Sequence, residues 1–347
     1  MQAADVGDIK SAHREVADQP SLEILIAKRT GLKLAIVRLV TDIDAKMSAL
    51  MSAIIDHEKF QAMEERWRGL YALTQSYNYN PRIKIKFLDY SFQTLAEDLN
   101  SRVSVERSFF YKLVAERELN TPGGEPFGLI VTDFDIHNDI DDDLDELYTL
   151  ELLADLAERA LCPVVVSASE AFFGNDNADW LSDSRRIAKI LNSSDYDGMR
   201  AIAGLDCSRF LAVAINKIHV RSPYEHFGRY FNFTQPRHES SGLWLSCRYV
   251  FATTVLREFD RTSWFGFLKM VGAQPGSGAV VVPPNCYVQD SLRPTDLTRP
   301  WVRFTPQIAE FFSENGFIAL ADGRLSDSLY FWGNSTWKCF FANPSDR

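Results

Sequence analysis

The spacing of apolar residues changes period several times along the chain. From Leu32, apolar side chains recur at steps of three and four through Ile36, Leu39, Val40, Ile43, Met47, Leu50 and Ile54. That spacing puts them on one helical face. The next stretch, "DHEKFQAMEERWRGLYALTQSY", keeps the period in Phe60, Met63, Trp67, Leu70, Tyr71 and Leu73, and no glycine or proline intervenes before Gly69. Two long helices, or one bent helix, are expected over 32–77, as a helical layer packed on a sheet. In "PRIKIKFLDYS" the period falls to two. Ile83, Ile85 and Phe87 alternate with Lys84 and Lys86, the pattern of a half-buried strand.

Further along, "FQTLAEDL" and "VERSFFYKLVAEREL" read as helices and "NTPGGEPFG" as a turn. "FGLIVTDFDI" reads as a strand buried on both faces, "LDELYTLELLADLAERAL" as an amphipathic helix, and "CPVVVSAS" as the next strand. A helix long enough to cross over between two strands implies a parallel pair. "RFLAVAINKIHVRSPY" reads as one strand. "SGLWLSCRYVFATTVLREF" reads as a helix with Ser240 or Ser241 as its N-cap. "TPQIAEFFSENG" is a short helix begun by Thr305 and Pro306 and closed at Asn315-Gly316, before a hairpin of "FIALAD" and "SLYFWGN". The fold class expected is α/β: a mixed, partly parallel sheet flanked by helices, with an N-terminal helical layer. The divisions expected are an arm over 1–31, a helical region with one strand over 32–120, an α/β core over 121–335 and a short tail over 336–347.

Composition narrows the functional classes. Apolar residues make up 46% and charged residues 24% of 347, which fits a globular chain. A formal charge of −10 argues against a general nucleic-acid binder. No apolar run approaches the length of a membrane span, so no membrane insertion and a cytoplasmic location are expected. Cys162, Cys207, Cys247, Cys286 and Cys339 contain no CxxC pair and are expected to be buried, reduced thiols.

Asp133 and Asp135 are the candidate chemistry. An acidic pair ending an apolar strand is the arrangement of haloacid-dehalogenase-type phosphatases, with a nucleophile and an acid/base. Here Ile136-His137-Asn138 follow in place of the tight turn that family uses. The acids Asp139, Asp141, Asp142, Asp143 and Asp145 contain no central glycine, so they make no EF-hand loop. They suit the start of the following helix. The glycines at 272, 276 and 278 lack the Lys-Ser or Lys-Thr of a phosphate loop. No catalytic residue, cofactor site or metal site is assigned.

Several stretches together resemble the large subunit of the type VI secretion contractile sheath, the TssC family. "HEKFQAMEERWRGLYAL" resembles its Trp-Arg-Gly-Leu helix, and "NTPGGEPFGLIVTDFDI" its Gly-Gly-Glu-Pro turn and following strand. "LLADLAERALCPVVVSASEAFFG" and "ENGFIALADGRLSDSLYFWG" are similar to its next helix–strand unit and its late hairpin. The resemblance implies a non-enzymatic structural subunit in a multimeric assembly. The partners implied are a small, TssB-like sheath subunit and other large subunits, with baseplate components and the inner tube as further ones. Family members continue past the hairpin through a segment that supplies strands between subunits, whereas this sequence stops at Arg347. That difference implies a specialised place, terminating the sheath or joining it to the baseplate, with an ordinary truncated subunit as the alternative. The expected interaction residues are Glu64, Arg66, Trp67 and Arg68 on the helical face, together with Asp133 and Asp135.

Overall fold

The first apolar period becomes one continuous helix, α1 (Pro20–Ile55), about 54 Å long at 1.5 Å per residue. It breaks at Asp56-His57, where the His57 imidazole accepts the Lys59 N–H at 3.2 Å and α2 (Glu58–Ser76) begins. The computed structural model describes residues 20–76, 80–101, 103–138, 146–174, 181–225, 231, 233–236, 242–263, 280, 300–322, 329–332 and 336. The chain divides into two compact units: 1–60 with 223–241, and 61–222 with 242–347.

In the first unit, Gln235 donates to Asp56 at 2.6 Å and exchanges bonds with Tyr224, its N–H giving to the Tyr224 carbonyl at 2.8 Å. Among the described residues, the expected burial of α1 does not occur. Leu32, Ile36, Leu39, Val40, Ile43, Met47, Leu50 and Ile54 are each 43–63% exposed. The helical period is legible, but no described residue supplies the surface that the apolar side chains need.

The second unit is built on a sheet. α3 (Phe92–Asn100) starts where the Ser91 hydroxyl accepts the Thr94 N–H. Residues 105–116 form short helical turns. β1 (Ile130–Ile136), α4 (Glu146–Arg159) and β2 (Val164–Ala168) make the expected strand–helix–strand unit with parallel strands. After α5 (Ser184–Leu191) and α6 (Asp197–Gly204) comes β3 (Leu211–Ile215), parallel to β2. β4 (Lys217–Arg221) and β5 (Leu243–Ser246) form a separate antiparallel pair, followed by α7 (Cys247–Thr262). α8 (Pro306–Glu314) is capped by Thr305, and β6 (Phe317–Asp322) and β7 (Leu329–Trp332) form the expected hairpin. The main sheet runs β1-β2-β3-β6-β7.

Side-chain alternation divides the core between the two faces of this sheet. Val164, Val166, Val213 and Phe317 join α4 and α8 on one face, while Val165, Ala212, Ala214 and Ile318 join α7 on the other.

Further expectations change, among them the strand expected in "PRIKIKFLDYS", which joins no sheet among the described residues. β1 lies at the sheet edge and is mostly half-buried, so its apolar run is not covered on both faces. The single strand expected over 209–224 is two strands. Asn216 breaks it at φ 89°, holding the turn with bonds to the Val302 and Leu320 carbonyls. The helix expected from residue 242 starts at Cys247, because Leu243–Ser246 pairs with β4. The acids at 139 and 141–145, the serines at 240 and 241, and the glycines at 272, 276 and 278 lie outside the described residues. Cys162, Cys207 and Cys247 are buried and unbridged.

Candidate interaction site

Three consecutive residues of α2, Glu64, Glu65 and Arg66, reach three different elements of the second unit. α2 lies close to α7 because residue 69 has no side chain. A Cβ on Gly69 would stand 2.8 Å from the buried Tyr249 ring. This gives the Trp-Arg-Gly-Leu stretch a physical reason. The Gly-Gly-Glu-Pro turn has one too: a Cβ on Gly124 would come within 2.4 Å of the Glu118 carbonyl oxygen.

Glu64 turns inward. It accepts from Arg221 of β4 through both oxygens, at 2.9 and 3.1 Å, and from Arg68 at 2.8 Å. A two-pronged guanidinium–carboxylate pair fixes orientation as well as charge. Glu65 is largely covered and accepts the Ser246 N–H at 2.8 Å, with Arg248 4.0 Å away. Burial pushes its carboxyl above the ordinary 4.5, against the pull of Arg248. Arg66 pairs with Asp133 at 3.1 Å, with both side chains about half exposed.

Arg248 is the hub that sequence reasoning missed. It sits on α7 with its side chain 3% exposed. It donates to the Phe134 and Asp133 carbonyls at 2.9 and 3.0 Å and is ion-paired with Asp135. The β1–β2 register slips between Val131 and Asp135. Arg248 therefore serves carbonyls of β1 where the ladder is irregular. One sequence signal existed: a lone arginine inside "LWLSCRYVFATTVL" must be buried with its neighbours and so needs partners.

Asp133 and Asp135 therefore both have cationic partners within this chain. No group of metal-ligating residues occurs among the described residues. Trp67, unlike Glu64, is exposed. With Met63 and Tyr71 it forms an apolar stripe at four-residue steps, with exposures of 67%, 47% and 49%. Arg66 and Trp67 thus stand at the surface, while Glu64 and Asp135 hold the fold together.

The model for VipB, described as EvpB/VC_A0108, tail sheath N-terminal domain, matches residues 37–338. The chain belongs to this tail sheath family. It is 24% identical over 338 residues to the type VI secretion system sheath protein TssC1 of Pseudomonas aeruginosa, covering 94% of this chain. The chain spans 66% of that relative's length. The family is a structural one, which removes the reason to read Asp133 and Asp135 as phosphatase residues. The matched region includes the exposed apolar residues of α1 from Val37 onward, all of α2 and the whole sheet. No described helix is long and apolar enough to cross a membrane.

Proposed function

We propose that this chain is a non-enzymatic structural subunit of a cytoplasmic type VI secretion sheath, seated on a small, TssB-like partner through the exposed apolar side chains of α1. Family membership supports the role, and one structural observation carries the contact. Ten large apolar residues from Leu32 to Ile54 are exposed along a single helix. A patch of that extent marks an interaction surface in a folded protein. Leu32, Ile36, Leu39, Ile43, Met47, Leu50 and Ile54 follow three- and four-residue steps close to a heptad seam, the pattern that receives an amphipathic helix. Met63, Trp67 and Tyr71 provide a second, smaller surface for neighbouring large subunits. Baseplate components and the inner tube are the remaining partners on this reading.

The test is co-expression with the small sheath subunit of a type VI system, purification through a tag on one chain, and negative-stain imaging. A stoichiometric complex supports the reading, and absence of any complex refutes it. The same images test the narrower role of terminating the sheath or joining it to the baseplate. Short or capped tubes accord with that role, and long regular tubes contradict it.

A further inference from the structure

The stretch 83–90, "IKIKFLDY", has the residue pattern of a strand and runs without turn, bend or helix, yet it belongs to no sheet. Among the described residues, no N–H or C=O of residues 84–89 is hydrogen-bonded. The segment is nonetheless held in place. Ile85 packs against the core cluster under α7. Lys84 is ion-paired with Glu125, and Lys86 bonds Glu118 at 2.8 Å while lying over the Phe127 ring at 5.1 Å. Tyr90 closes the far end against Phe109 and Phe110, with ring centroids 6.3 and 5.9 Å away. Lys84, Lys86, Phe87, Leu88 and Asp89 are exposed, with Phe87 and Leu88 at 55% and 43%.

We infer that residues 84–89 are an acceptor strand, completed by an extended segment of the small sheath subunit that adds to it by backbone pairing. A fixed row of unpaired backbone groups is a template for one kind of ligand, another strand. Because the row is already straight and held at both ends, little ordering entropy opposes pairing. The side chains narrow the chemistry of the incoming strand. Both lysines are already neutralised by Glu125 and Glu118, so the row calls for no acidic strand. Phe87 and Leu88 call for apolar side chains opposite them. A second copy of this segment fits poorly. The antiparallel register that pairs all six residues sets Phe87 against Lys86 and Leu88 against Ile85, leaving an aromatic ring opposite a charge.

The identity of the partner rests on the sheath reading; the strand acceptor rests on the backbone alone. Hydrogen–deuterium exchange on the full chain, free and bound to the small sheath subunit, tests both. In the free chain the amides of 84–89 should exchange at close to the unprotected rate at every protein concentration. In the complex they should slow at least tenfold. Leu88→Pro removes an exposed N–H that has no acceptor, so it should leave the melting temperature within a few degrees and weaken binding at least tenfold. Leu88→Ala, which keeps the amide, should weaken it less. A complex in which these amides stay unprotected overturns the acceptor strand and leaves the sheath reading standing. Absence of any complex overturns both. Protection that rises with concentration in the free chain assigns the strand to a second copy and overturns the partner named here.

Discussion

At the scale of residues, the acids that end β1 separate into two energetic classes. Asp133 meets Arg66 near the surface, where water screens the pair and side-chain entropy opposes it. Asp133→Asn should therefore cost less than about 1 kcal/mol. Arg248 is buried against Asp135 and two backbone carbonyls. Arg248→Met strands that carboxylate and should cost about 3–5 kcal/mol. Chemical denaturation of the two variants checks the contrast, and equal losses would contradict it. Glu65 adds a pH dependence. Its folded carboxyl titrates above the ordinary 4.5, so holding it ionised costs stability as pH rises through and above that value. Glu65→Gln should melt with wild type near the acid end and gain on it toward neutral pH. Glu118 runs the other way: the Lys86 bond holds its carboxyl below the ordinary range, so its contribution is present at neutral pH and lost on acidification. Melting curves of the Gln variants from acid to neutral pH read both signs, and parallel profiles would contradict them.

At the scale of elements, the long periodic helices, the parallel strand–helix–strand unit and the final hairpin could all be read from residue spacing. Each is determined by local pattern, and burial confirms it for the strand–helix–strand unit and the hairpin. The failures came where tertiary partners decide. Asn216 splits an apolar stretch because its amide bonds distant carbonyls, and nothing local announces that. Leu243–Ser246 leaves a helical-looking run because β4 offers it a ladder. Residues 84–89 carry a strand's alternation, but no described residue provides a ladder partner. Asp133 and Asp135 were visible as a pair at a strand end, while Arg66 and Arg248, which explain them, come from helices far along the chain. For α1 the period was right and the burial was not. Ile43→Asp places a charge on an exposed position and should leave the isolated chain's stability within about 0.5 kcal/mol. Capture of the small sheath subunit should fall at least tenfold, and retained capture would move the seat elsewhere.

At the scale of the whole molecule, the described residues combine a closed α/β core with apolar surface that none of them buries. The core follows the rule that helices cover both faces of a parallel sheet. The uncovered surface lies along α1, on the Met63–Trp67–Tyr71 stripe and beside the unpaired strand. A structural subunit whose stability is completed in an assembly accounts for all three, together with membership of the tail sheath family. Site-specific photocrosslinking tests this most directly. A photoreactive residue is placed in turn at Ile43, Leu50, Ala45 and Ser52 of the full chain, in cells that also make the small sheath subunit. Crosslinks to that subunit from Ile43 and Leu50, with few or none from Ala45 and Ser52, are the expected result. Equal labelling at all four positions, or none at any, would contradict the account.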